Sequence, residues 1–275
     1  KFAVGLNSCG SAIFLMLKCA GAQFGDKVLT NGFTFTAVPS AIVHAGCDPV
    51  YVETTPGYVV DVADLEKKMD ANPDCKYFIV SHMRGKLASM DKIKKLCDAK
   101  GVELLEDCAH SLGVLWNGGH SGHHGTMAAF SSQSYKMLNS GEGGFFVTDD
   151  DYAAARCMAY AGAYEALADK HYCRPCDAAL AKVMDGSIPN FSLRMHEGTA
   201  AMLRPQIKTI EARRAEYNER YYRIAAQLNA LPGCSVEDQL PQVTIVGDSV
   251  QFNVEATALG DDLDAGADAF LAKCA

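Results

Sequence analysis

Three short segments place reactive residue types beside backbone that could support them. Ser131-Ser132-Gln133-Ser134-Tyr135-Lys136 follows the apolar run Met127-Ala128-Ala129-Phe130 and leads into Asn139-Ser140-Gly141-Glu142-Gly143-Gly144. A lysine directly after a buried strand, among small hydroxyl residues and before a glycine turn, is poorly placed for a solvated role. It suits an amine that attacks an aldehyde to form a Schiff base, provided that desolvation or nearby cations lower its pKa. Glu106-Asp107 ends the run Val102-Glu103-Leu104-Leu105, at the carboxyl end of a strand, where wound α/β sheets place ligand-binding groups. A carboxylate there is partly desolvated and needs a cation or strong donors to stay ionised. A protonated pyridine nitrogen would serve, and so would a side chain from a neighbouring helix or loop. Asn7-Ser8-Cys9-Gly10-Ser11-Ala12 precedes an apolar helical run that stops at Gly21. Its free amides and serine hydroxyl can hold a phosphate, although any serine-capped helix shares that feature.

The elements that must position these groups follow a simple order. Up to about residue 150, short β-branched runs (Lys27-Val28-Leu29, Pro49-Val50-Tyr51-Val52, Tyr77-Phe78-Ile79-Val80 and Val102 to Leu105) alternate with helical patterns near 34–45, 61–70 and 89–100. This predicts an α/β fold with a mainly parallel, helix-covered sheet. Asp61 and Ser89 stand where N-caps are expected, and Gly101 ends the last of those helices. After Asp149 the pattern gives a helix, a polar stretch near 163–190 read as a loop, and one long charged helix near 197–230. A hairpin is predicted over 243–254, turning at Gly247-Asp248, and a helix from about Asp262 to the end. The expected division is a large domain over 1–195, then a bridging helix and an incomplete small α+β domain over 196–275.

Composition narrows the partners. Of 275 residues 49% are hydrophobic, enough for a sizeable core. The net charge of −8 comes from scattered acids with no basic run to track a phosphate backbone, so nucleic acid is not expected. Eleven cysteines fall inside apolar patterns such as Leu17-Lys18-Cys19-Ala20, which reads as reduced thiols in a cytosol-like compartment. No apolar run approaches the roughly 20 residues of a membrane span, and no signal-peptide order opens the chain. A soluble, cytoplasmic protein is expected.

Taken together and in this order, the segments resemble the DegT/DnrJ/EryC1/StrS family, the sugar-aminotransferase branch of fold-type-I pyridoxal-phosphate enzymes. The resemblance runs from Asn7-Ser8-Cys9-Gly10-Ser11-Ala12 through Gly25-Asp26-Lys27-Val28, Phe33-Thr34-Phe35, Ala45-Gly46-Cys47-Asp48-Pro49-Val50, Glu106-Asp107-Cys108-Ala109-His110 and Lys136 to Gly141-Glu142-Gly143-Gly144, and resumes at Asn190 to Met195 and Ala200-Ala201. It implies that Gly10, Ser11 and Ser131 bind the phosphate of pyridoxal 5'-phosphate and that Phe35 stacks on the pyridine face. It further implies that Asp107 pairs with the pyridine nitrogen, that His110 lies near the phenolic oxygen, and that Lys136 holds the cofactor and shuttles the proton. Asn190 resembles the asparagine that reaches the neighbouring subunit's cofactor, which implies a homodimer.

Some positions depart from the family pattern. Cys9 stands where glycine is common, Gly10 where threonine is common, and Met137 where asparagine usually follows the lysine. The longer spacing between Asn190 and Arg194 lets Ser192 compete for the asparagine's place. His82-Met83-Arg84-Gly85 replaces an aromatic-glycine step and puts a guanidinium near the substrate entrance, to meet an acidic substrate or to form an ordinary ion pair. The chain also starts and stops short of the family's usual ends and reads as a fragment.

No metal is expected. His120, His123 and His124 sit in a glycine-rich turn without a second ligand set, and Cys173 and Cys176 lack a partner pair. No GxGxxG unit follows a strand. The resemblance implies transfer of an amino group from glutamate or glutamine to a keto-sugar, nucleotide-linked, or a similar keto-polyol. The alternatives are a dehydratase or other lyase on the same cofactor, against which Lys136 argues because related dehydratases carry histidine there, and a non-catalytic cofactor-binding regulator or truncated remnant.

Overall fold

The computed structural model describes residues 1–163, 165–183 and 185–274. Its first nine strands are β1 (Phe2–Leu6), β2 (Lys27–Asn31), β3 (Asp48–Val52), β4 (Tyr77–Ser81), β5 (Glu103–Asp107), β6 (Leu115–Trp116), β7 (Gly119–His120), β8 (Met127–Ser131) and β9 (Gly144–Thr148). Seven of them form one sheet in the order β1-β9-β8-β5-β4-β2-β3, in which β9 alone runs against its neighbours. The expected mainly parallel sheet is present.

Both faces of that sheet are covered, and the strands read accordingly. In β4, Tyr77 and Ile79 enter a core with α1 (Cys9–Ala20), α2 (Ala37–His44) and α5 (Asp151–Ala161). Phe78 and Val80 enter a second core with α3 (Val62–Ala71) and α4 (Met90–Lys100). Alternate residues therefore serve opposite cores, and no polar face remains to give an alternating pattern. Caps set the helix ends as their chemistry dictates. The Asp61 carboxylate accepts from the amides of Ala63 (2.8 Å) and Asp64 (3.3 Å), and Gly101 adopts φ 66° at the end of α4. Ser89 precedes α4, but its hydroxyl makes no capping bond.

Four strands outrun their apolar sequence at the carboxyl edge. β2, β4, β5 and β8 end on Asn31, Ser81, Asp107 and Ser131, all buried. Polar residues stay in this ladder because they satisfy one another. The Asn31 amide donates to the Ser81 carbonyl (3.2 Å) while its oxygen accepts from the Ser81 N–H (2.8 Å). The functional residues stand on this edge.

The chain beyond residue 150 departs further from expectation. The stretch read as a loop contains a 3₁₀ segment at Glu165–Lys170 and a short helix, α6 (Asp177–Ala181); Tyr164 and Met184, in the same stretch, lie outside the described residues. The expected long helix is two, α7 (Glu197–Ile207) and α8 (Ile210–Asn229). Pro205 removes one amide from the last turn of α7 and crowds the preceding carbonyl, so the helix stops and restarts. The predicted hairpin over 243–254 does not form. With β10 at Cys234–Ser235, β11 (Val243–Thr244) pairs with β6, and β12 (Asn253–Val254) pairs with β10. Asn218 on α8 takes the intervening backbone instead, donating to the Ile245 carbonyl and accepting from the Gly247 amide, each at 2.8 Å. Two helices follow, α9 (Ala256–Leu259) and α10 (Leu263–Cys274), while Ala275 lies outside the described residues.

Candidate active site

A cavity of about 670 Å³ opens at the carboxyl edge of the sheet. Its walls bring together Gly10, Phe35, Arg84, Asp107, His110, Ser131 and Lys136, residues from separate stretches of sequence.

Lys136 sits in a loop closed on itself: Ser132 N–H donates to the Gly143 carbonyl, Ser140 N–H to the Ser132 carbonyl and Ser134 N–H to the Gly141 carbonyl, all at 2.9 Å. Beyond it the chain presses onto the start of α1, where a Cβ at Gly144 would overlap the Ser8 carbonyl carbon and the Cys9 amide. That contact places the lysine loop and the α1 N-terminus on one cavity. Lys136 Nζ lies 3.0 Å from His110 Nε2. Burial pushes the ammonium pKa below its usual value, with Asp107 pulling the other way and Arg84 adding to the depression. Burial and the charge of Lys136 also push His110 down to about 4, so the imidazole is neutral at pH 7.

Asp107 forms the floor and is 4% exposed. Ser81 donates to Oδ2 at 2.7 Å, and the Ala109 amide to Oδ1 at 3.1 Å. Thr34, next to Phe35, donates in turn to the Ser81 hydroxyl at 2.8 Å. Burial raises the Asp107 pKa against those hydrogen bonds, and among the described residues no cation is in ion-pair contact with it. It is a buried carboxyl group held in one plane, with the Lys136 charge nearby but no cation in direct contact among the described residues.

Glu106, one residue earlier, faces the opposite core. It accepts from the amides of Gly122 (3.0 Å), His124 (2.7 Å) and Gly125 (2.7 Å), and His82 Nε2 lies 2.9 Å away. Burial would raise its pKa, but these donors and His82 hold it well below the usual carboxylate range. The His124 ring nitrogen, at 3.6 Å, is too distant for a hydrogen bond; its backbone amide makes the contact. The expected glycine-rich turn therefore forms, with β6 and β7 as its arms, and the backbone that follows it binds Glu106. His82, Glu106 and Cys108 also bring possible ligand atoms within 4.8 Å of one another, but the Glu106 oxygens are already occupied by backbone amides.

At the α1 N-terminus, the Ser8 hydroxyl accepts from the Ser11 amide at 3.0 Å, and the first turn leaves the Cys9 and Gly10 amides without an intrahelical acceptor. A Cβ at Gly10 would meet only the Ser8 hydroxyl, at 3.8 Å, so the space before it is open. Ser131 lines the same cavity. Ser11 does not. It borders an adjoining cleft, its hydroxyl donates to Asn7 at 2.7 Å, and Ser8 donates back to it. Asn190 is also outside the cavity, its side chain accepting from the Ser192 amide at 2.8 Å. Phe35 presents its ring to the cavity and is 61% exposed. Arg84 lines the mouth with left-handed backbone (φ 57°, ψ 24°), and no ion pair involves it among the described residues.

Sequence reasoning misses three participants. Ser81 is hidden as the end of a buried strand, Cys9 stands out only as a substitution for glycine, and Asp248 reads as part of a hairpin turn. Asp248 lines the cavity because Asn218 holds the preceding backbone away from strand pairing. The ten cysteines described are free thiols, Cys9 among them.

The DegT/DnrJ/EryC1/StrS aminotransferase family model matches residues 1–257. The chain belongs to this family. It is 29% identical to the L-glutamine:2-deoxy-scyllo-inosose aminotransferase of Streptomyces paromomycinus over 270 residues, covering 93% of the chain and 61% of the relative. Among solved structures, S. venezuelae DesV aligns with TM-score 0.80 and 26% identity, over 96% of this chain and 68% of that one. The dehydratase ColD, solved with bound GDP-perosamine, aligns with TM-score 0.81 at 17% identity over 96% and 69%, a likeness of fold. The chain spans 35–61% of the lengths of the curated relatives it matches. The architecture is that of the fold-type-I pyridoxal-phosphate aminotransferases.

The residues of this family member fit pyridoxal phosphate. Asp107 offers a buried carboxyl group with no cation in contact where a pyridinium would pair with it, Phe35 offers a free ring face, Gly10 opens onto unpaired amides, and the Lys136 amine is half-buried with a lowered pKa. Of the residues expected at this chain's own cofactor, Ser11 lies elsewhere, while Asn190 is expected to serve a neighbouring subunit's site. No helix of the described residues is long and apolar enough to cross a membrane.

Proposed function

We propose that this cavity transfers an amino group, through pyridoxal phosphate, from an amino acid, glutamate or glutamine, to a keto-sugar or keto-polyol, with nucleotide-linked sugars as the first acceptor class. The carrying observation is the Lys136 amine, 3.0 Å from a neutral imidazole and sharing a 670 Å³ cavity with the buried Asp107 carboxyl group. When bound, the cofactor supplies an aldehyde and an electron-withdrawing pyridinium. Lys136 is the residue that would hold that aldehyde, and its Nζ would take up and return the proton moved in the reaction. The depressed pKa makes its neutral form available nearer to physiological pH than that of a free lysine. His110, neutral at pH 7, accepts from Lys136 or donates to an oxygen beside it without adding charge. Asp107, oriented by Ser81 and Ala109, holds a proton on the ring nitrogen. Gly10 and Ser131 receive the phosphate, and Phe35 covers the ring.

In this reading residues 1–195 are the cofactor-binding domain and 196–275 supply bridging helices and part of a small domain. The intact protein is a cytoplasmic homodimer, with Asn190 or Ser192 turned toward a second subunit's cofactor. Lys136 also weighs against the dehydratase reading, despite the ColD-like fold. Borohydride reduction of the holoenzyme followed by peptide mass spectrometry should place a pyridoxyl group on the Ser134-Tyr135-Lys136 peptide, and Lys136→Ala should abolish turnover and the coloured band. A label on another lysine, or turnover by the alanine variant, overturns the assignment.

A further inference from the structure

A transaminase binds two substrates in turn at one cavity, and this one is lined, besides the exposed Glu142, by two unlike charges that are not in ion-pair contact. Arg84 and Asp248 both line it. Among the described residues neither is in an ion pair, with the other or with Lys136, although their fields overlap enough for each to influence the ionisation of Lys136. A guanidinium and a carboxylate free to close on one another would normally do so, since the pair makes two parallel hydrogen bonds. Here they are not paired, and each is set by its own backbone. Arg84 stands on a left-handed residue (φ 57°, ψ 24°) followed by Gly85 at φ 72°, a conformation unfavourable for arginine. Gly85 packs against the His110 carbonyl, where an added Cβ would come within 3.0 Å, so this turn is fixed against the site. Asp248 is fixed from the other side by the Asn218 bonds to Ile245 and Gly247. Strain of this kind persists where the surroundings over-determine it, and it gathers at ligand clamps.

The two walls also differ in their supporting charge. Lys86, two residues after Arg84, is buried with no hydrogen-bond partner for Nζ, which lies 5.3 Å from the centre of the Tyr58 ring. Asp248 is joined by Ser249, which lines the same cavity and whose hydroxyl donates to Asp248 Oδ1 at 3.4 Å and accepts from the Gln251 side-chain amide at 3.1 Å. One wall is built for an anion, the other for hydroxyl donors.

We propose that Arg84 and Asp248 divide the two substrates between them, Arg84 binding the α-carboxylate of the amino donor and Asp248, with Ser249, binding hydroxyl groups of a neutral polyhydroxylated ketone. This rests on the aminotransferase reading and refines it. The α-carboxylate presents two acceptors to the guanidinium fork, whereas adjacent hydroxyls present two donors to one carboxylate. Each substrate is aligned by the wall that the other does not require, so a single cavity accepts both without moving.

The two half-reactions of the holoenzyme separate these roles, followed by the absorbance of the bound cofactor on mixing with L-glutamine and then with 2-deoxy-scyllo-inosose. Arg84→Asn, chosen because asparagine tolerates left-handed backbone, should raise the half-saturating glutamine concentration roughly tenfold to a hundredfold and leave that for the ketone within about threefold. Asp248→Asn, of the same shape, should do the reverse. Both half-reactions weakened alike by either variant, or neither affected, overturns the division. A parent protein that consumes glutamine but leaves the ketone untouched overturns the polyol half. A parent protein that reacts with no amino donor overturns the function above instead, so the two failures are distinct.

Discussion

The floor of the cavity and its mouth are held by different means. At the floor each polar group is tied to another: Thr34 to Ser81, Ser81 to Asp107, Asp107 to the Ala109 amide, and Glu106 behind it to three amides of one turn. At the mouth Arg84 and Tyr135 hold left-handed backbone, Tyr135 is 90% exposed, and Asp248 arrives from a segment that pairs with no strand beside it. The floor is preorganised by bonds that exist without any ligand, the arrangement suited to a cofactor that stays. The mouth is fixed in its backbone but leaves its charges unpaired, the arrangement suited to substrates that come and go.

Replacing a floor group should therefore damage chemistry or folding, and replacing a mouth group should change which substrate binds. After the loss of turnover expected for Lys136→Ala, the largest effect belongs to Asp107→Asn. Asparagine keeps one oxygen for the Ala109 amide and turns an NH₂ group toward Ser81, whose hydroxyl can rotate to accept it, and Gly10, Ser131 and Phe35 are untouched, so cofactor affinity should change little. Without its carboxylate charge the protein no longer keeps the ring nitrogen protonated, and kcat should fall by about 10²–10³-fold, as for the loss of one preorganised electrostatic contact. Spectroscopic titration of cofactor binding beside steady-state rates tests this. Equal kcat would remove Asp107 from the pyridine nitrogen.

Glu106→Gln should leave the substrate mouth alone and act on stability. One carboxylate oxygen becomes an NH₂ group facing backbone donors, so buried amides lose their acceptor, at a cost of about 3 kcal/mol. The sign of the pH dependence follows from the depressed pKa. Glu106 binds a proton more readily when unfolded than folded, so its contribution is complete above the usual carboxylate pKa of 4.5 and is lost as pH falls from there. Denaturant unfolding at pH 7 and pH 3.5 should show the parent losing stability toward acid and the glutamine variant losing less. An unchanged acid dependence would mean that other carboxylates govern it.

The same contrast explains what is legible in the sequence. Runs such as Tyr77 to Val80 declare a doubly covered strand, Lys136 and Asp107 declare themselves by type and setting, and the family resemblance adds His110, Gly10, Phe35 and Ser131; the structure brings all six to one cavity. The strand end at Ser81 is less visible, because a polar residue ends an apolar pattern while still bonding in the ladder. Asp248 is not legible at all. Alternation around Gly247-Asp248 is what a hairpin requires, and only the tertiary partner Asn218, about thirty positions earlier, decides against it. Ser11 stays out of the cavity for the opposite reason: its short polar side chain finds an acceptor, Asn7, within a few residues.

The smallest predicted effect separates a residue's type from its bond. Asp61 and Ser89 are both favourable N-cap residues by type, and they precede α3 and α4, neighbouring helices on one face of the sheet. Asp61 accepts from two amides of α3, whereas the Ser89 hydroxyl accepts from none in α4. Asp61→Ala should therefore cost about 1 kcal/mol, and Ser89→Ala less than about 0.5 kcal/mol. Both sites are remote from the charges at the mouth, so half-saturating substrate concentrations should be those of the parent. Denaturant midpoints measured with a common slope give the comparison directly. Equal losses in the two variants would show that the Ser89 hydroxyl turns inward to cap α4 in solution, and that the difference between the two helix starts lies in side-chain rotation alone.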